Sequence, residues 1–103
     1  MNTIQPTEEI VLDALRGVED PEIGCNIVDL GLIYDVSITG TNVAVKMTLT
    51  TRGCPMHEVI ADGARNALLD LSGVEDAQVQ VVWDPPWRPS MMTEAGREAT
   101  GLG

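Results

Sequence analysis

The run T-T-R-G-C-P-M-H-E, Thr50 to Glu58, sets Cys54 between a glycine and a proline. Proline is best accommodated in the first turn of a helix, where its missing N–H would have had no partner. Pro55 therefore marks a helix start, and Cys54 becomes the residue that caps it. Gly53 can take backbone angles that a side chain forbids, which allows a tight strand-to-helix turn. A sulfur so placed faces free backbone N–H groups and the positive end of the helix dipole, both of which favour thiolate over thiol. Such a group is a nucleophile and a metal ligand. The plainer alternative is a small buried thiol that precedes a helix, since free cysteines often behave as core hydrophobes. Against it, Ser, Thr, Asp and Asn are the usual caps, and Thr50, Thr51, Arg52 and His57 around the sulfur are polar. His57, the single histidine, stands one turn into the helix, either as a further ligand or as an exposed first-turn side chain.

A second group of candidate side chains lies upstream in G-V-E-D-P-E-I-G-C-N-I-V-D-L-G. In D-P-E the proline holds Asp20 and Glu22 on a stiff turn or extended backbone, as hard ligands walling a site or as acceptors stapling the loop. Asp29 reads as a turn residue closing that loop. Cys25, in G-C-N, sits in a flexible context, and spacing alone does not say whether it reaches Cys54. Near the end, W-D-P-P-W carries Trp83 and Trp87 around a rigid Pro-Pro. Each indole is a large apolar body with one N–H donor, suited to a lid packed over the sheet end or to a patch for a partner.

The elements that must position these groups follow from periodicity. Thr7 caps a helix read over Thr7 to Arg16, with Glu8 and Glu9 at its positive end and Val11, Ala14, Leu15 and Val18 at helical spacing. The acidic run after it is a loop. Leu32, Tyr34, Val36 and Ile38 alternate with Ile33, Asp35, Ser37 and Thr39, and beyond T-G-T-N a second alternating run spans Val43 to Leu49, so the two pair as a hairpin. Met56, Val59, Ile60, Ala64, Ala67, Leu68 and Leu71 then lie on one helical face, and Val79, Val81 and Trp83 mark a third strand. The order α-β-β-α-β predicts a two-layer α/β (α+β) fold, with helices on one face of a three-stranded mixed sheet. The segment M-M-T-E-A-G-R-E-A reads equally as a short helix or a loose tail.

With 103 residues there is room for one domain, its core over about 7–90 and a polar tail over 91–103. The core is aliphatic, since the chain has no Phe, one Tyr and two Trp. Sixteen acidic against six basic residues give a net charge of -10, which argues against nucleic acid and against an anionic membrane surface, both of which attract basic clusters. The N-terminus lacks the pattern of a signal peptide, and no apolar run approaches the roughly 20 residues of a membrane span. A cytoplasmic location is expected, where the two cysteines would be thiols or ligands rather than a structural disulfide.

Taken together, V-E-D-P-E-I-G, N-I-V-D-L-G-L-I-Y-D-V, V-K-M-T-L-T-T-R-G-C-P-M, L-S-G-V-E-D-A-Q-V and V-W-D-P-P-W-R-P-S-M-M make the chain resemble the small SufT-like and PaaD-like proteins of metal-sulfur cluster assembly. That family is related to the domain preceding the P-loop ATPase in some iron-sulfur scaffold proteins, and the likeness covers about 9–94. The resemblance implies a fold of the iron-sulfur cluster assembly domain type and a role in maturing iron-sulfur proteins. It further implies that Cys54 is the reactive cysteine and that Asp20, Glu22 and Thr51 stand around it. Cys25 departs from the pattern, where an aliphatic residue is more usual, and the cysteine-rich tail of the longer PaaD-like proteins is lacking. A stable cluster needs about four thiolate or equivalent ligands, against two cysteines here. The expected cargo is thus a transient cluster or iron, in an accessory factor that is not a turnover catalyst. Its expected partners are assembly proteins and client apoproteins, with a homodimer as one way to complete the site. A thiol enzyme using Cys54 with His57 or Glu58, and an adaptor using the acidic surface with Trp83 and Trp87, are the competing readings.

Overall fold

The computed structural model describes residues 6–21, 23–50 and 57–101. Helix α1 spans Glu8–Leu15, with the Thr7 hydroxyl accepting from the Ile10 amide at 3.2 Å. Two short strands, β1 (Glu19–Asp20) and β2 (Cys25–Asn26), form a small antiparallel ladder. The main sheet holds β3 (Ile33–Thr39), β4 (Asn42–Met47) and β5 (Asp76–Val81) in the order β3-β4-β5, antiparallel across the first pair and parallel across the second. Helix α2 (His57–Leu69) is the crossover that a parallel pair requires. A 3-10 turn at Pro89–Met91 leads into α3 (Glu94–Thr100).

The hairpin closes as its residues dictate. Gly40, with φ 60°, takes the first place of a two-residue loop, where a positive φ is needed, and Thr39 pairs with Asn42. Strand β4 alternates cleanly, with Val43, Val45 and Met47 buried and Ala44 and Lys46 exposed. Its buried face meets Val11 and Leu15 of α1 and Ile60, Ala64 and Leu68 of α2 in one aliphatic core. Burying each of the Val, Leu, Ile and Met side chains stabilises by about 1.5–3 kcal/mol relative to leaving it in water. The opposite face of the sheet, with Ser37, Thr39, Asn42, Ala44, Asp76 and Gln78, is open. The sheet is therefore mixed, with both long helices on one side.

Four features differ from the sequence reading. The loop after α1 contains the β1–β2 ladder and contributes Cys25, Ile27 and Leu30 to the core. Strand β3 has a bulge at Tyr34, since Ile33 pairs with Met47 and Asp35 with Lys46. The extra residue breaks strict alternation, and the Tyr34 hydroxyl donates to the Pro85 carbonyl at 2.7 Å. Val59 does not join the buried face of α2, being 57% exposed. Strand β5 ends at Val81, although the Val82 amide still donates to the Met47 carbonyl at 2.7 Å, and Trp83 lies beyond it.

The end of the described chain is helical and docked. Met92 is buried in the core, so the core extends past residue 90. The Thr93 hydroxyl accepts from the Gly96 amide at 3.1 Å and donates to Asp29 Oδ1 at 3.0 Å, while the Thr93 amide donates to the Asp29 carbonyl at 2.9 Å. Asp29 is itself held by Asn26, through contacts of 2.7 and 2.9 Å. Asp29 thus closes its turn, as its sequence context suggests, and also anchors α3.

Candidate functional site

The candidate site forms where the segment from Gly17 to Pro21, which includes β1, runs beside α2. Gly17, Val18, Glu19 and Pro21 face Val59, Ile60, Gly63, Asn66, Ala67 and Asp70 across a groove of about 520 Å³. Two sequence features stand at this approach. Val18 packs over Gly63, where a Cβ would stand 3.5 Å from the valine methyl, at ordinary contact distance. Pro21 follows β1 directly, and the turn after it is closed by the Gly24 amide donating to the Asp20 carbonyl at 2.7 Å, with Gly24 at φ 79°. The D-P turn thereby lines the same groove as α2.

Asp20 is 2% exposed. It is one of two buried polar residues among those described, the other being Thr48. Thr48 stands just past β4, and its hydroxyl has no hydrogen-bond partner among the described residues. Cys54, Thr51 and Glu22 lie outside the described residues, as does the side chain of His57. The expected cap at Cys54 falls in that stretch, three residues before the first described residue of α2. Among the described residues no three His, Cys, Asp or Glu side chains are grouped to hold a metal ion.

Cys25 is not in a flexible segment. It lies in β2, opposite Asp20 in the ladder, and is 5% exposed within the aliphatic core. Burial pushes its thiol pKa up, the neighbouring Asp29 carboxylate adds to the rise, and a backbone hydrogen bond at Asn26 opposes it. Each of the first two effects disfavours the thiolate that would bind metal. Cys25 serves here as a small apolar side chain of the core.

Trp83 and Trp87 are half-buried against the core. The Trp87 indole donates to the Leu30 carbonyl at 2.6 Å. The Tyr34 hydroxyl, besides its bond to Pro85, stands 3.6 Å from the Met91 sulfur. The W-D-P-P-W segment is therefore a strap over the end of the sheet. What periodicity missed is the groove. Its signal was present in α2, where Val59 sits one place outside the arc that Ile60, Ala64, Leu68 and Leu71 occupy.

The chain matches the family model of the iron-sulfur cluster assembly protein over residues 8–81. It is 42% identical over 96 residues to the Fe-S protein maturation auxiliary factor YitW of Bacillus subtilis, covering 92% of this chain and 94% of that one. It is also 42% identical over 86 residues to the Fe-S protein maturation auxiliary factor SufT of Staphylococcus aureus, covering 82% and 98%. The crystal structure of a domain of unknown function from Bacillus anthracis superposes with a TM-score of 0.87 at 38% identity, over 91% of both chains. The resemblance carried by the D-P-E, G-C-P and W-D-P-P-W motifs thus extends through the fold, and the chain belongs to the iron-sulfur cluster assembly protein family.

Proposed function

We propose that this protein is an accessory factor of iron-sulfur protein maturation that takes up iron or a cluster transiently and delivers it to acceptor apoproteins. Cys54 is the sulfur that contacts the cargo, and Asp20, Glu22 and Thr51 form the polar wall around it. His57, the first described residue of α2, is the additional ligand, three residues along the chain from Cys54; Cys25 is left out, since its thiol is packed in the core. The observation that supports this reading most is that Pro21, next to Asp20 in the chain, and Val59, in the first turn of α2, line one groove. Asp20, buried beside Pro21, is the carboxylate-bearing residue that this reading assigns to the site.

The chemistry is ligand exchange rather than turnover. With two cysteines in the chain against the roughly four ligands a stable cluster needs, the cargo's remaining positions are filled by the acceptor, a small thiol or a second copy of the chain. Delivery breaks the iron–sulfur bond to Cys54 as an acceptor thiolate bonds to the same iron, with no change of oxidation state required. The partners are assembly proteins and client apoproteins of the cytoplasm.

The test is anaerobic reconstitution with iron and sulfide, followed by mixing with an apo iron-sulfur enzyme, for the protein and for Cys54→Ser. Visible charge-transfer absorption and acceptor activation that both vanish in the variant, with its circular dichroism unchanged, support the carrier. Full acceptor activation by Cys54→Ser would sink it.

A further inference from the structure

The groove beside α2 has an apolar floor and an acidic rim. Val18, Pro21, Val59, Ile60 and Ala67 supply the floor, and Val59 is the exposed large hydrophobic among the described residues. Glu19 lies on one bank and Asp70 on the other, and among the described residues no lysine or arginine lines it. Glu58 and Asp62 are exposed on the outer flank of the same helix. Among the described residues, Arg16 pairs with Asp13 at 3.1 Å, and Arg65 donates to the Ala77 carbonyl at 3.0 Å on the side of α2 facing β5. From Val59 to Asp70 the wall runs about 16 Å, three turns of helix at ~1.5 Å per residue.

We infer that this groove docks a basic amphipathic helical segment of a partner protein, about three turns long, with its apolar stripe on Val59 and Ala67 and its flanking Lys or Arg residues against Glu19 and Asp70. A helix laid in a groove is a recurrent recognition mode, read through anchors spaced three or four residues apart. Charge decides which helix. On a chain of net charge -10, an acidic segment would be repelled on approach, whereas a basic one is steered in. This surface stands on its own residues and does not rest on the chemistry proposed for Cys54.

The probes are two 18-residue model helices with the same Leu and Ala stripe, one flanked by Lys and one by Glu, titrated against the full chain by fluorescence anisotropy and amide NMR shifts. The Lys-flanked helix is expected to bind, to weaken between about 50 and 500 mM salt, and to shift the amides of Val18, Glu19, Val59 and Ala67. Val59→Asp should weaken it roughly tenfold or more, as removal of an interface anchor does. The double reversal Glu19→Lys with Asp70→Lys should transfer preference to the Glu-flanked helix. Cys54→Ser should leave binding unchanged, so this surface and the cargo site fail or stand separately. Equal binding of both helices, binding indifferent to Val59→Asp, or no binding of either would overturn the inference. So would dilution-dependent shifts of these same amides without peptide, which would assign the groove to a second copy of the chain.

Discussion

The indole of Trp87 donates to the carbonyl of Leu30 at 2.6 Å, joining the strap after β5 to a core loop residue 57 positions earlier. Leu30 is fully buried, so its carbonyl has little access to water if that donor is removed. Trp87→Phe keeps most of the apolar contact and deletes the N–H. It is expected to lower unfolding free energy by about 1–3 kcal/mol, the penalty of leaving a buried acceptor unpaired, measured by urea denaturation. A change below about 0.5 kcal/mol would mean the indole does not hold the strap.

The docking of α3 rests on a missing side chain. At Gly96 an added Cβ would run into the backbone carbonyl of Asp29, which cannot move aside as a flexible side chain would. The same holds at Gly31, where φ is 78° and a Cβ would meet the Met91 carbonyl. Gly96→Ala is expected to destabilise by about 1–3 kcal/mol, the range for overpacking, and to loosen α3 first. Hydrogen exchange at Arg97 and Gly101, whose amides close α3, would accelerate more than at the β4 amides. Uniform acceleration would show that α3 and the sheet open together.

Where a period existed, the sequence was readable. Thr7 capped α1, and β4 alternated from Val43 to Met47. The β1–β2 ladder was not readable, because two-residue strands carry no period and their pairing is set by the Asp20 to Gly24 turn. The anchoring of α3 was equally hidden, since it depends on Asp29 and Thr93 meeting 64 positions apart. For the candidate site, residue types pointed to Cys54, Asp20 and Glu22. That Pro21 and Val59 line one groove depends on how the segment from Gly17 to Pro21 packs along α2, which a linear reading does not contain.

Val59 and Ile60 are neighbours with opposite surroundings, 57% and 2% exposed. Ile60→Ala removes buried methyl groups and should cost about 2–5 kcal/mol. Val59→Ser should stay within about ±0.5 kcal/mol, as surface substitutions do. Thermal melts of the two variants measure the contrast directly. Equal losses would place Val59 in the core face, where periodicity put it.

The two thiols should separate in both rate and pH dependence. Cys25, 5% exposed and with its pKa raised from 9.0 by burial and then by Asp29, should react with a thiol reagent near neutral pH only on unfolding. In the native chain the fast-reacting group is then Cys54, and Cys54→Ser should show none until denaturant is added. The raised pKa also sets a sign. Below the unfolded value both states keep the proton and the stability from burying a neutral thiol is fully present. As pH rises above about 9, the unfolded chain loses its Cys25 proton while the folded one keeps it, so unfolding binds fewer protons and stability falls. Replacing the side chain by alanine should lower stability at neutral pH through the lost packing and flatten its decline above pH 9. A rapid native reaction at Cys25, or an alkaline slope unchanged in Cys25→Ala, would show that its thiol is not held neutral by the core.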